Sequence, residues 1–239
     1  MDRNESQHKS RFEGVIFDLD GTLLNTIEDL ADSVNAALVR ADLPDRPLDY
    51  YYTAVGDGAE TMVWRCLPEE LRSEGLLARV HAYTREEYAR RWNHKTKPYD
   101  GIPDMLDSLS KAGMRIAILS NKPHASTLKV VAEFLPHWDF APVRGAREDV
   151  PIKPDPQAAL DIADHCGIAP EKWIYVGDTD TDMQTARAAR FFAVGVSWGF
   201  RSIEELREHG ADMIADHPAD ISEMALNGNP REGVVSKVL

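Results

Sequence analysis

Cysteine is scarce in this chain of 239 residues: there are two, Cys66 and Cys166, set far apart. They form no CxxC or Cys/His pattern, which argues against a disulfide framework or a zinc site and fits a reducing compartment. The eight histidines, among them His81, His94, His124 and His137, show no paired metal-ligand spacing and read as scattered surface or satisfied core positions. Positive charge is also short, with 27 Lys and Arg against 40 Asp and Glu and a formal net charge of −13. That surplus repels a phosphate backbone at long range, so no nucleic-acid partner is expected. The densest basic stretch, "REEYARRWNHKTK" from Arg85 to Lys97, is interrupted by acids and reads as the solvated face of a helix. Long apolar runs are missing as well, and none approaches the roughly 20 residues of a membrane span. The opening "MDRNESQHKSR" has no apolar segment of the secretory kind. The expectation is a cytoplasmic protein with no membrane partner, with that opening and the closing "NGNPREGVVSKVL" as loose tails.

What is present is a 43% hydrophobic content, enough for a sizeable core. Short apolar runs recur between helical stretches: "GVIF", "RIAIL", "WIYVG", "FFAVGV" and "ADMIA". Continuous apolar runs alternating with helices are the signature of βαβ units, whose parallel strands are covered on both faces. The pattern predicts an α/β fold with a doubly wound, mostly parallel sheet. Before "RIAIL", Met105, Leu106 and Leu109 fall at helical spacing and Gly113 stands as a C-terminal stop. The interval 25–98 breaks the alternation. Thr26 to Asp29 resembles a capping box, and the rest reads as helix after helix. This predicts an inserted all-helical cap domain at 25–98 over the strand ends of an α/β core formed by 1–24 and 99–239.

In open α/β sheets ligands bind beyond the carboxyl ends of the strands, and here those positions are polar. Asp18 and Asp20 follow "GVIF"; Ser120, Asn121 and Lys122 follow "RIAIL"; Asp178, Asp180 and Asp182 follow "WIYVG". Between the last two groups, "PIKPDP" carries Lys153 in a loop stiffened by Pro154 and Pro156. Taken singly, each has a plain explanation: turn chemistry for Asp-Gly, a helix cap for Ser120, a surface lysine, acids favouring a helix dipole. Together, the acids would repel one another and one lysine cannot balance them, whereas a divalent cation would. "GDGAET" at 56–61 echoes a dinucleotide fingerprint but lacks its third glycine and follows no strand opening a βαβ unit.

"DLDGT", "LSNK", "KPDP" and "VGDTDTD", in that order and with a helical insert after the first, resemble the haloacid dehalogenase superfamily of phosphatases with an N-terminal helical cap. Within it, "AVGDGAETMVWRCL", "GIPDML", "SNKP" and "VSWGF" are similar to the bacterial phosphoglycolate phosphatase group. The resemblance implies that Asp18 is a nucleophile forming an aspartyl-phosphate and that Asp20, two positions on, is the acid/base that moves the proton. It implies Mg²⁺ held by Asp18, Asp178 and the main-chain carbonyl of Asp20, with Asp182 orienting a metal-bound water. Lys153, Ser120 and the backbone NH of Asn121 are then expected to bind the phosphoryl oxygens, and Asp180 to be solvent-facing or a helix start. Asn25 departs from the family, which usually has an aspartate there, and is expected to affect cap hinging or the hydrogen bonds that support the site, not the nucleophile.

These readings point to a Mg²⁺-dependent hydrolase of a small phosphomonoester, most simply 2-phosphoglycolate. The nearest alternative is a β-phosphoglucomutase-like phosphosugar mutase, whose cap carries a basic motif where this chain has "VGDGAETMV". Arg65 close by could meet a small carboxylate or serve the surface. A non-catalytic phosphometabolite binder is the alternative of another class.

Overall fold

The computed structural model describes residues 11–228; the two tails expected from the sequence lie almost wholly outside them. Strand β1 (Gly14–Phe17) is followed by the two-residue strand β2 (Leu24–Asn25) and then by helices α1 (Ile27–Arg40), α2 (Leu48–Ala54), α3 (Ala59–Cys66) and α4 (Glu74–Arg91). A second short strand, β3 (Lys97–Pro98), brings the chain back antiparallel to β2, with Leu24 opposite Pro98 and Asn25 opposite Lys97. Strands and helices alternate thereafter: α5 (Ile102–Lys111), β4 (Arg115–Pro123), α6 (His124–Phe134), β5 (Val143–Ala146), α7 (Gln157–Cys166) and β6 (Trp173–Gly177). The chain closes with α8 (Asp180–Ala189), β7 (Phe192–Val196), α9 (Ile203–Glu208), β8 (Met213–Ala215) and α10 (Pro218–Asn227).

The main sheet runs β5-β4-β1-β6-β7-β8, and every neighbouring pair in it is parallel. It is a doubly wound α/β sheet, as the alternating runs predict. Side-chain alternation along β1 explains why its sequence is apolar without a break. Val15 and Phe17 pack into the layer formed with α5, α6 and α10, whereas Ile16 faces the opposite layer of α7 and α8. Helix α5 buries Ile102, Met105, Leu106 and Leu109, a stripe at helical spacing, and Gly113 follows its end at φ +74°. Each such side chain contributes roughly 1.5–3 kcal/mol when fully buried.

Helices α1 to α4 enclose a second core in which Ile27, Leu30, Val34 and Leu38 meet Tyr51, Met62, Val63 and Val80. Phe200, from the loop after β7, joins that cluster and so ties the helices to the sheet. Two sequence expectations need correction, and one strand was not foreseen. β4 does not stop at Leu119 but continues through Pro123, because β5 pairs with it as far as Pro123 opposite Ala146. β5 itself carries no apolar signal: "VRGA" is a half-buried edge strand. The capping box at Thr26 does not form either, since Asp29 turns away to accept from the backbone of Lys95 and Thr96, and the Thr26 side chain caps nothing. A tertiary contact has taken the side chain that the local pattern required.

Candidate active site

β1 lies between β4 and β6, and the chain reverses its direction of winding there, so the crevice beyond their carboxyl ends is the topological switch point. Asp18 follows β1, Asp178 follows β6, and Ser120, Asn121 and Lys122 occupy the end of β4. Lys153 arrives from the loop before α7, and Asp182 from the first turn of α8. Asp18, Ser120, Asn121, Lys153, Asp178 and Asp182 are all buried.

Lys153 is the hub. Its Nζ donates to Asp18 Oδ1 at 2.8 Å and to Asp182 Oδ1 at 2.6 Å. The loop that carries it is fixed by Asn121, whose side chain accepts from the Lys153 backbone NH at 3.0 Å and donates to the Lys153 carbonyl at 3.1 Å. The same amide donates to the Gly56 carbonyl, in the loop before α3. Ser120 Oγ accepts from the Lys122 backbone NH at 3.2 Å.

Carboxylate oxygens of Asp18, Asp178 and Asp182 lie within 4.8 Å of one another. Burial raises the Asp18 carboxyl to about 7; Lys153 opposes this while Asp182 and Asp20 add to it. Asp178 is pushed well above the ordinary carboxylate range, by burial first and then by Asp18 and Asp182. Burial alone would lower Lys153, but Asp18 and Asp182 outweigh it and hold the ammonium charged. One ammonium among three buried acids leaves negative charge uncompensated, and an oxygen-ligated divalent cation fits that donor set. The two oxygens of Asp178 are aimed by Thr22 Oγ1 at 2.9 Å and by the Phe200 backbone NH at 2.9 Å. Asp182 is fully committed: besides Lys153, it accepts from the Thr179 backbone NH and hydroxyl in a capping box that starts α8. It therefore suits a supporting acid better than a metal ligand. Asp180 is the first residue of that helix, as expected.

Two glycines permit this crowding. A Cβ at Gly21, where φ is +91°, would sit 2.2 Å from Asp178 Oδ2, and one at Gly199 would sit 2.1 Å from the Asp178 Cβ.

Asp20 stands apart from the acid cluster. Its two oxygens accept from Lys122 Nζ at 2.9 Å each, and the Tyr88 ring of α4 lies 4.9 Å from the same ammonium. Sequence reading left Lys122 without a role and missed Thr22, Thr179 and Tyr88. Thr22 and Thr179 adjoin recognised aspartates and could have been read with them. The Asp20–Lys122–Tyr88 grouping joins three distant segments and has no local signal.

Above Asp18 and Asp20 opens a cavity of about 550 Å³, walled on one side by α4 and on the other by α6. Arg65, which the sequence offered as a carboxylate ligand, is not among its lining residues. Arg65 pairs with Asp57 at 2.5 Å and donates to the Ala54 carbonyl at 3.1 Å, so it serves the packing of α2 against α3. His124, by contrast, is satisfied as expected: Nδ1 accepts from the Gly145 backbone NH.

A parallel sheet with buried aspartates after its central strands, a lysine between them and a helical segment overhead matches haloacid dehalogenase-like hydrolases over residues 15–196, and the chain belongs to that family. Within it, the chain is similar to the phosphoglycolate phosphatase of Mannheimia succiniciproducens, with 30% identity covering 89% of this chain and 97% of that one. The corresponding protein of Nitrosospira multiformis is 33% identical over 84% of this chain and 90% of its own length. A crystal structure of a predicted phosphoglycolate phosphatase from Haemophilus somnus superposes with a TM-score of 0.84 at 26% identity, covering 90% of this chain and 98% of that chain.

Proposed function

We propose that this hydrolase is a Mg²⁺-dependent phosphoric monoester hydrolase of small phosphorylated metabolites, with 2-phosphoglycolate as its first candidate substrate. One observation carries the reading: Lys153 bridges Asp18 and Asp182 in a buried cluster whose third acid, Asp178, lies within metal-ligand reach. Residues 25–98 act as a cap over this site, entered and left through the β2/β3 ribbon, with Asn25 at its hinge.

Asp18 attacks phosphorus in line, forming an acyl phosphate as the P–O bond to the alcohol breaks. Asp20 delivers a proton to the departing oxygen and then takes one from the water that hydrolyses the acyl phosphate. For either step one of its oxygens must leave Lys122. Lys153, Ser120 Oγ and the Asn121 backbone NH receive the phosphoryl oxygens, and Lys153 balances charge that Asp18 loses on bonding to phosphorus. The side chains of Asp18 and Asp178 and the Asp20 carbonyl would hold Mg²⁺, with Asp182 as the supporting acid that holds Lys153 beside them; bound there, the ion would neutralise phosphoryl charge. Water is limited by the burial of the acids and by the cap.

Support for the substrate comes from the names of the similar proteins. A basic cap motif of the mutase kind is absent from "VGDGAETMV", whose Asp57 is spent on Arg65 and Thr181. The test is phosphate release from a panel of phosphomonoesters including 2-phosphoglycolate, sugar phosphates, nucleotides and pyrophosphate. Asp18→Asn should lower turnover by at least about a thousandfold in a protein with an unchanged circular dichroism spectrum. Substantial turnover by that variant, or full activity in chelator-treated buffer, refutes the mechanism. A poor rank for 2-phosphoglycolate refutes only the substrate.

A further inference from the structure

One face of α4 forms a large part of the cavity wall contributed by the helical segment. His81, Thr84, Arg85, Tyr88, Ala89 and Trp92 all line it, at spacings of three and four that a helix brings to one side. The charges on this helix are unevenly used. Glu86 pairs with Arg40, and Glu87 with both Arg90 and Arg91. Arg85 has no carboxylate partner among the described residues and faces the cavity. Opposite it, α6 contributes Lys129, whose Nζ rests 4.1 Å from the Trp92 ring centre, again without a carboxylate partner among the described residues. His81 lies a turn before Arg85. Its pKa is lowered by burial first, with Glu60 opposing and Arg85 adding to the effect, so its surroundings disfavour a charge on the ring. The acids in the cavity lining, Asp18 and Asp20, are held by Lys153 and Lys122.

Reach is suitable. The Tyr88 ring adjoins Lys122, which touches Asp20, and Arg85 is three residues away along α4, a rise of about 4.5 Å. A long, flexible guanidinium on the wall of that cavity is placed to meet a second group of a substrate whose phosphorus is held at Asp18.

We propose that Arg85, seconded by Lys129, is the specificity-determining cation of this enzyme, forming a subsite for a second acidic group on the substrate. The preferred substrates are then phosphate esters of hydroxycarboxylic acids, and the corresponding alcohol esters are discriminated against. This deepens the phosphomonoesterase reading and rests on it. It also reassigns Arg85 from the solvated helix face that its sequence context suggests.

The test compares kcat/KM within two matched pairs: 2-phosphoglycolate against 2-hydroxyethyl phosphate, and 3-phosphoglycerate against glycerol 1-phosphate. In each pair only the carboxylate is exchanged for a hydroxymethyl group. Loss of one charge-assisted hydrogen bond corresponds to about 10- to 100-fold, so the wild type should favour the acid of at least one pair by that factor. Arg85→Met should collapse the preference, chiefly through KM, while Arg85→Lys retains part of it and Lys129→Met lowers it less. Preference for the alcohol esters in both pairs overturns the proposal, as does an acid-to-alcohol ratio that Arg85→Met leaves unmoved. Release of phosphate from none of these esters, nor from p-nitrophenyl phosphate, would instead bring down the phosphomonoesterase reading and the proposal with it.

Discussion

At the scale of single residues, Lys153 decides whether the site can exist. Its ammonium is buried between two carboxylates, and deleting one partner of a buried ion pair costs about 3–5 kcal/mol because the other charges are left uncompensated. Lys153→Met should therefore lose activity and also unfold at distinctly lower urea than the wild type. A stability within 1 kcal/mol of wild type, on the order of a surface substitution, would contradict the hub role. Asp178 shows the opposite balance. Burial and two neighbouring acids disfavour its charge, so Asp178→Asn should cost the metal-free protein little stability while abolishing its response to Mg²⁺. Titrating Mg²⁺ against melting temperature checks this: at 100 times Kd a native-state ligand adds about 2.7 kcal/mol, several degrees for the wild type and none for the variant. At this scale the sequence was informative wherever chemistry and position coincide. Lys153 stands out because "KPDP" holds it rigid, whereas Lys122 and Arg85 look like ordinary surface cations. Their meaning lies in which carboxylates are already taken, and that depends on contacts between distant segments.

At the scale of elements, α8 is where a helix cap and the buried acid–lysine cluster share atoms. Thr179 caps the helix and its hydroxyl donates to Asp182, which in turn grips Lys153. Thr179→Ala should lower stability by about 1 kcal/mol, the ordinary worth of an N-cap, but should lower kcat further than that stability loss explains. An unchanged kcat would show that Asp182 is held without the hydroxyl. The strands flanking the site were legible because both faces of β1, β4 and β6 are covered, which forces continuous apolar runs. β5, at the sheet's edge, and the two-residue β2 and β3 were not, since a half-exposed edge needs no apolar run and two residues show no period. The failed capping box has the same origin: Asp29 finds better donors across the fold than at its own helix end.

Across the whole molecule, the helical segment is fastened to the sheet at a few points. Asn121 donates to Gly56, Thr181 to Asp57, and Arg201 to the carbonyls of Tyr52, Thr53 and Val55 at the end of α2. A cation there also suits the negative end of the helix. Arg201→Ala should raise amide hydrogen exchange in α2 and α3 with little change in β1 and β6; uniform exchange would place the fastening elsewhere. Cys66 reports on the same helices. Burial pushes its thiol up to about 11, so at pH 8 the native protein should label at Cys66 only as fast as it unfolds.

The paired strands Leu24–Asn25 and Lys97–Pro98 set departure and return of the helical segment side by side. The interruption therefore closes on itself, and the sheet sees one narrow doorway instead of two distant cuts. On the role proposed for Arg85, a helical block exchanged at that doorway would change the cation above the site while Asp18, Asp178 and Asp182 stay on the sheet, so selectivity should travel with the block.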